Sequence, residues 1–114
     1  MHTMLLNEKP FTQIKEGIKI YELRLYDEKR SQLKVGDTVE FRNRANETEF
    51  ILTKITTLLH LPNFAEISMH IQIEKAGWPK GTEGMIVQED MRKYYSKEDE
   101  IHYGVLVIGI EKIE

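Results

Sequence analysis

The run Tyr103-Gly104-Val105-Leu106-Val107-Ile108-Gly109-Ile110 constrains the fold more than any other feature of the chain. A strand apolar at consecutive positions gives both faces of a sheet apolar surface, so it belongs where both faces are covered. A near-continuous apolar strand is therefore expected over 103–113, in a central position. The remaining residues have to supply its neighbours, and 114 residues suit a single domain, 1–114, with one core.

Asn7 is placed to cap a short helix over about Glu8 to Glu16, with Phe11 and Ile14 three apart on the buried side and Gly17 as the stop. Ile18 to Leu25 is rich in β-branched and aromatic residues and predicts a strand. Asp27 to Gln32 is polar and turn-like, and Leu33-Lys34-Val35-Gly36-Asp37 predicts a tight turn feeding a strand over Thr38 to Arg42. Asn43 to Asn46 reads as a hairpin loop that returns as a long strand, Thr48 to Leu59. The Leu61-Pro62-Asn63 corner introduces a short helix at Phe64 to Met69, and Gly77 to Gly84 has loop chemistry. Ile86 to Tyr95 reads as an amphipathic helix with Val87, Met91 and Tyr94 or Tyr95 on one side. Strands that do not alternate with long helices exclude a doubly wound parallel sheet. They point to an α+β fold, a mixed sheet or small barrel with short helices at its ends.

Several function classes drop out on composition. With no cysteine there is no disulfide framework, thiolate metal site or cysteine nucleophile. No apolar stretch approaches the roughly 18 residues of a membrane span, and the opening Met1-His2-Thr3-Met4-Leu5-Leu6 lacks the basic start of a signal peptide, so the expectation is a cytoplasmic protein with no membrane partner. A net charge of −3 does not advertise nucleic-acid binding, but the charge is uneven: 19–44 holds seven basic residues against five acidic, and 61–114 six against ten.

Chemistry concentrates in Gly17-Ile18-Lys19-Ile20-Tyr21-Glu22-Leu23-Arg24. In an extended strand Glu22 and Arg24 share a face with Ile18 and Ile20, while Lys19, just after Gly17, has the backbone freedom to turn towards them. An arginine fork suits phosphate or carboxylate, and a glutamate accepts from amino groups such as a base edge. The same pattern also describes an ordinary half-exposed strand with a salt bridge, and spacing alone favours that reading.

These eight residues match the pattern Gly-x-Lys-x-x-Glu-x-Arg, and in this the chain resembles the ASCH domain family. The similarity continues through the polar turn Tyr26 to Arg30, through Leu33-Lys34-Val35-Gly36-Asp37-Thr38-Val39-Glu40-Phe41, and through the closing strand from Tyr103 to Ile108. The resemblance implies a PUA-like mixed β-barrel with a cleft beside the Lys-x-x-Glu-x-Arg strand. It implies RNA or a modified nucleoside or nucleotide as partner, no cofactor, and a ligand-binding set of Lys19, Tyr21, Glu22, Arg24 and Tyr103.

Some small bacterial members deacylate N(4)-acetylcytidine-type nucleosides with a Lys, a Thr three residues later and a distant Glu. Lys19 and Glu83 are the counterparts of the first and last, but Glu22 stands where the Thr belongs. An amidohydrolase using Lys19, Glu22 and Glu83 would need Glu22 as general base on water, with Lys19 or Arg24 stabilising the oxyanion. A non-catalytic protein-interaction domain is the remaining alternative.

Elsewhere the signals are weaker. His2, His60, His70 and His102 have no paired spacing, so no metal site is expected. No Gly-Lys-Ser/Thr follows the glycines of 77–84, so no P-loop is expected there. Trp78, Tyr21 and Tyr26 would stack on bases if they flanked the cleft. Glu98-Asp99-Glu100 reads as a solvated loop that would keep RNA away from its side.

Overall fold

The apolar C-terminal run is β5, Val105–Lys112, and it is flanked on both sides as its sequence demands. A computed structural model, which describes residues 1–113, shows one five-stranded mixed sheet in the order β1-β3-β4-β5-β2. The other strands are β1 (His2–Leu6), β2 (Tyr21–Leu25), β3 (Thr38–Asn43) and β4 (Asn46–Leu61). Strands β1 and β3 run parallel and every other neighbouring pair is antiparallel. With short helices packed around it, the sheet forms the α+β half-barrel that the strand pattern predicts.

Alternation along β5 divides the interior. Leu106, Ile108 and Ile110 face a first core with Met4, Leu6, Phe11, Ile14, Val39, Phe41 and Ile55. Val105 and Val107 face a second core with Leu23, Leu25, Phe64, Ile67, Val87 and Met91. The sheet curls between them because the pairing of β4 with β5 slips between Ile55 and Thr57, where Gly109 lies opposite. A Cβ at Gly109 would sit 2.9 Å from the Cβ of Thr57, so only a glycine lets the bulged strand come this close.

Helix α1 spans Glu8–Lys15 and buries Phe11 and Ile14 as expected, ending before Gly17 at φ +81°. Asn7 occupies the cap position, yet its side chain makes no capping hydrogen bond. Strand β1 carries no expectation from sequence. Its five residues are stabilised by parallel pairing with the distant β3, which local pattern does not report. Strand β2 begins at Tyr21 rather than Ile18. The Ile18 and Lys19 amides both donate to the Gln13 carbonyl and the Ile20 amide to that of Lys75, so the chain is still leaving α1 there. Ile18 is consequently exposed instead of sharing a face with Glu22.

Two further expectations need correction in the second half. Helix α2 is Gly84–Met91, earlier than Ile86–Tyr95, and beyond it the Lys93 amide turns back to the Asp90 carbonyl and the Tyr94 and Tyr95 amides to that of Met91. The Glu98-Asp99-Glu100 stretch is no loop. It lies in α3, Lys97–Tyr103, where the Ser96 hydroxyl caps the helix by accepting from the Asp99 amide, and acidic residues suit the positive end of a helix. Glu100 is only 2% exposed. It accepts from the Phe64 amide at 2.7 Å and from Gln88 at 3.1 Å, and pairs with Arg92 at 2.9 Å. Tyr103 closes α3 and so lies before β5 rather than in it.

Glu100 thus joins α3, α2 and the 3-10 turn at Phe64–Met69. Glu100→Ala would leave a buried amide unsatisfied and Arg92 without its partner, and is expected to cost about 2–4 kcal/mol in urea unfolding.

Candidate functional site

The sheet does not close: β1 and β2 are its two edge strands, each hydrogen-bonded on one side only. Residues of both strands line a cleft of about 720 Å³ at this seam. The rest of its wall comes from α1, Lys19, Arg44 in the β3–β4 turn, the segment 76–79 and the end of α2 with the turns that follow.

Glu22 and Arg24 stand opposite Ile108 and Leu106 across the β2–β5 pairing, on the face that lines the first core. Two charged side chains at the margin of an apolar interior are costly unless each is fully partnered. They are. The Lys19 Nζ lies 3.0 Å from Glu22 Oε1, and Arg24 holds Glu22 Oε2 through both Nε (2.9 Å) and Nη2 (2.8 Å). Arg24 also donates from Nη2 to the Leu5 carbonyl at 3.1 Å, which bridges β2 to β1 across the open seam. Lys19 reaches the carboxylate because residues 18–20 are not yet strand, so alternation does not dictate its direction.

Burial alone would raise the Glu22 carboxyl pKa, but Lys19 and Arg24, by charge and by hydrogen bond, reverse this and hold it below its usual 4.5. Arg24 is raised in turn: burial disfavours its charge, and Glu22 and then Tyr95 more than compensate. Burial pushes the Tyr95 phenol up, so it remains a neutral hydroxyl at the cleft wall.

The triplet therefore converges on the cleft. Tyr21 and Tyr103 do not line it; both pack against the second core. Glu83 is exposed at the start of α2, also outside the cleft wall. Of the aromatics, Trp78 is in the wall, its Nε1 donating to Asp90 at 2.9 Å, which fixes the ring. Tyr26 stacks on His60 instead, 3.8 Å between centroids. The wall also contains Tyr94, Tyr95, Lys9, Arg44 and Lys93, which sequence reasoning missed. Tyr95 packs beside Val87 and Met91 on the second core, as the amphipathic pattern expects, and stacks on Phe64 while also lining the cleft; Tyr94 next to it is exposed. No Ser, Thr or His lines the cleft among the described residues, nor do three metal-ligating side chains gather anywhere among them. Among the described residues no helix is long and apolar enough to cross a membrane.

Three comparisons bear on this geometry. The family model described as the ASCH domain matches residues 4–114. A crystal structure of a hypothetical protein, PH0355, is 33% identical, with 97% of each chain covered and a TM-score of 0.83. The solution NMR structure of protein PF0455 from Pyrococcus furiosus is 30% identical, covers 99% of this chain and 97% of its own, and has a TM-score of 0.75. No curated protein matches the chain.

The ion triad carries a pH signature. Because the folded Glu22 pKa lies below the unfolded one, its contribution is complete above about pH 4.5 and disappears as pH falls through the depressed folded value. Glu22→Gln, which leaves two buried cations facing a neutral amide, is expected to cost about 3–5 kcal/mol at pH 7. The gap between variant and wild type in urea midpoint should shrink steadily on acidification below that point, and a constant gap would contradict the assignment.

Proposed function

Because the chain belongs to the ASCH domain family, whose fold is PUA-like, we propose that the seam cleft binds a nucleoside or nucleotide unit, free or within a short RNA. One observation carries this reading above the others: a fixed aromatic ring, Trp78, shares one cleft with a set of converging charged groups, Lys19, Glu22 and Arg24. A base has a face for stacking and an edge for hydrogen bonding, and single-stranded recognition uses both. The cleft's volume falls within the roughly 300–1,000 Å³ typical of small-molecule sites. Neither a filled, salt-bridged surface nor a flat protein-docking face would leave such a cleft, so the interaction-domain alternative has less support.

Hydrolysis has less support than binding. Glu22 is fully ion-paired at both oxygens and held below its usual pKa, which makes it a weak general base. The expected distant carboxylate, Glu83, is outside the cleft wall, and no hydroxyl of Ser or Thr lines it among the described residues. A binding role uses the same groups without asking Glu22 to give up its partners.

Calorimetric titration with N(4)-acetylcytidine, the ordinary nucleosides and short single-stranded RNAs should yield at least one ligand that also raises the melting temperature by mass action. Trp78→Ala should weaken that ligand about tenfold or more, the usual worth of one stacked base. Arg24→Lys, which keeps the charge but loses the fork, should weaken it as well. Affinities unchanged in both variants would remove the site from this cleft, and release of free cytidine from N(4)-acetylcytidine would restore the hydrolytic reading.

A further inference from the structure

The charge of the cleft differs from that of the molecule around it. The whole chain has a net charge of −3, whereas the cleft is lined by five cations, Lys9, Lys19, Arg24, Arg44 and Lys93, and only two carboxylates, Glu22 and Asp90. Both carboxylates are engaged, Glu22 by Lys19 and Arg24 and Asp90 by the Trp78 indole. Lys9, Arg44 and Lys93 take part in none of the ion pairs found among the described residues, and all three are exposed. They come from three separate parts of the chain: the first turn of α1, the β3–β4 hairpin and the turns after α2. Arg44 is brought to the rim by its own amide, which donates to the Leu6 carbonyl at 2.7 Å where β1 ends.

Like charges gathered on one concave surface repel one another, and low-dielectric walls concentrate their field outward. The ligand that relieves this is an anion. Arg44 offers a planar fork that matches phosphate oxygens, and Lys9 and Lys93 add mobile point charges. Asp90, held by the Trp78 indole, offsets one of these charges, and with Glu22 it leaves five cations against two carboxylates. Resting on the nucleotide reading above, we infer that the cleft has a phosphate subsite formed by Lys9, Arg44 and Lys93, so that its ligand is a phosphorylated nucleotide rather than a bare nucleoside. A phosphate group drawn to these cations is available on a free mononucleotide or at the end of a short strand.

The decisive experiment compares matched pairs by calorimetry on the full chain at low and at physiological salt: the ordinary nucleosides and N(4)-acetylcytidine against their 5′-monophosphates, and a short RNA with a 5′-hydroxyl against the same RNA with a 5′-phosphate. Phosphorylation should tighten binding about tenfold or more at low salt, the scale of charge-assisted hydrogen bonds, and the gap should narrow as salt rises. A gap seen with mononucleotides identifies a free ligand, and one seen with the RNA pair identifies a strand end; either supports the subsite. Arg44→Ala and the Lys9→Ala/Lys93→Ala double variant, all at exposed positions, should retain the melting temperature and nucleoside affinity while closing the gap. Equal affinity for nucleosides and nucleotides would overturn the phosphate subsite and leave the nucleoside reading intact. A gap that persists in both variants would overturn the assignment to these residues. No binding by any member of the panel would overturn both readings.

Discussion

Glu22 is a carboxylate taken almost wholly out of water at the margin of an apolar core, and it stays ionised because Lys19 and Arg24 close on it from two sides. Replacing such an arrangement by apolar residues of equal volume is often neutral or stabilising, because desolvation offsets much of the Coulomb gain. What it provides is geometry. Arg24 is fixed by Glu22, and from that position spans the gap between the two edge strands to the Leu5 carbonyl. The triad is thus a strut across the open side of a half-barrel, and the cleft exists because the strut bridges the seam without filling it.

The rest of the architecture supports that seam. Exposed edges of a sheet invite pairing with other chains, and here both edges border a cleft walled by α1, the 76–79 segment and the turns after α2. The curl that brings β1 and β2 within reach of one arginine begins at the slip in β4 opposite Gly109. A residue with any side chain at 109 would meet Thr57, so the curvature is encoded by a single missing Cβ. Glu100 repeats the logic of a buried, fully partnered carboxylate, joining α3, α2 and the 3-10 turn at Phe64–Met69.

How far these features were legible depends on how local their causes are. The apolar run of β5, the Phe11–Ile14 face of α1 and the β3–β4 hairpin each declare themselves within a few residues, and the structure matches them closely. Glu22 and Arg24 also fall on one face by simple alternation. The start of β2 was misplaced because β-branched residues at 18 and 20 signal a strand, while their amides are committed to α1 and to Lys75. β1 was invisible for the opposite reason, its pairing lying more than thirty residues away. Glu98-Asp99-Glu100 reads as solvated because an acidic triplet looks the same in sequence whether one member points inward or not. The cleft's cations are the least legible of all: Lys9, Arg44 and Lys93 are ordinary surface residues in sequence, and only the chain's path brings them to one cleft.

A site and a strut made of the same residues lead to one expectation: ligand contacts should be felt at the seam first. Backbone amide shifts followed by two-dimensional NMR during titration with a bound nucleotide report this directly, residue by residue. The largest changes are expected at Lys19, Arg24, Trp78 and Tyr95, with Leu5 and Leu6 moving through the bridge across the seam. Changes centred instead on α3 or on the exposed face of β4, with these residues still, would contradict that expectation.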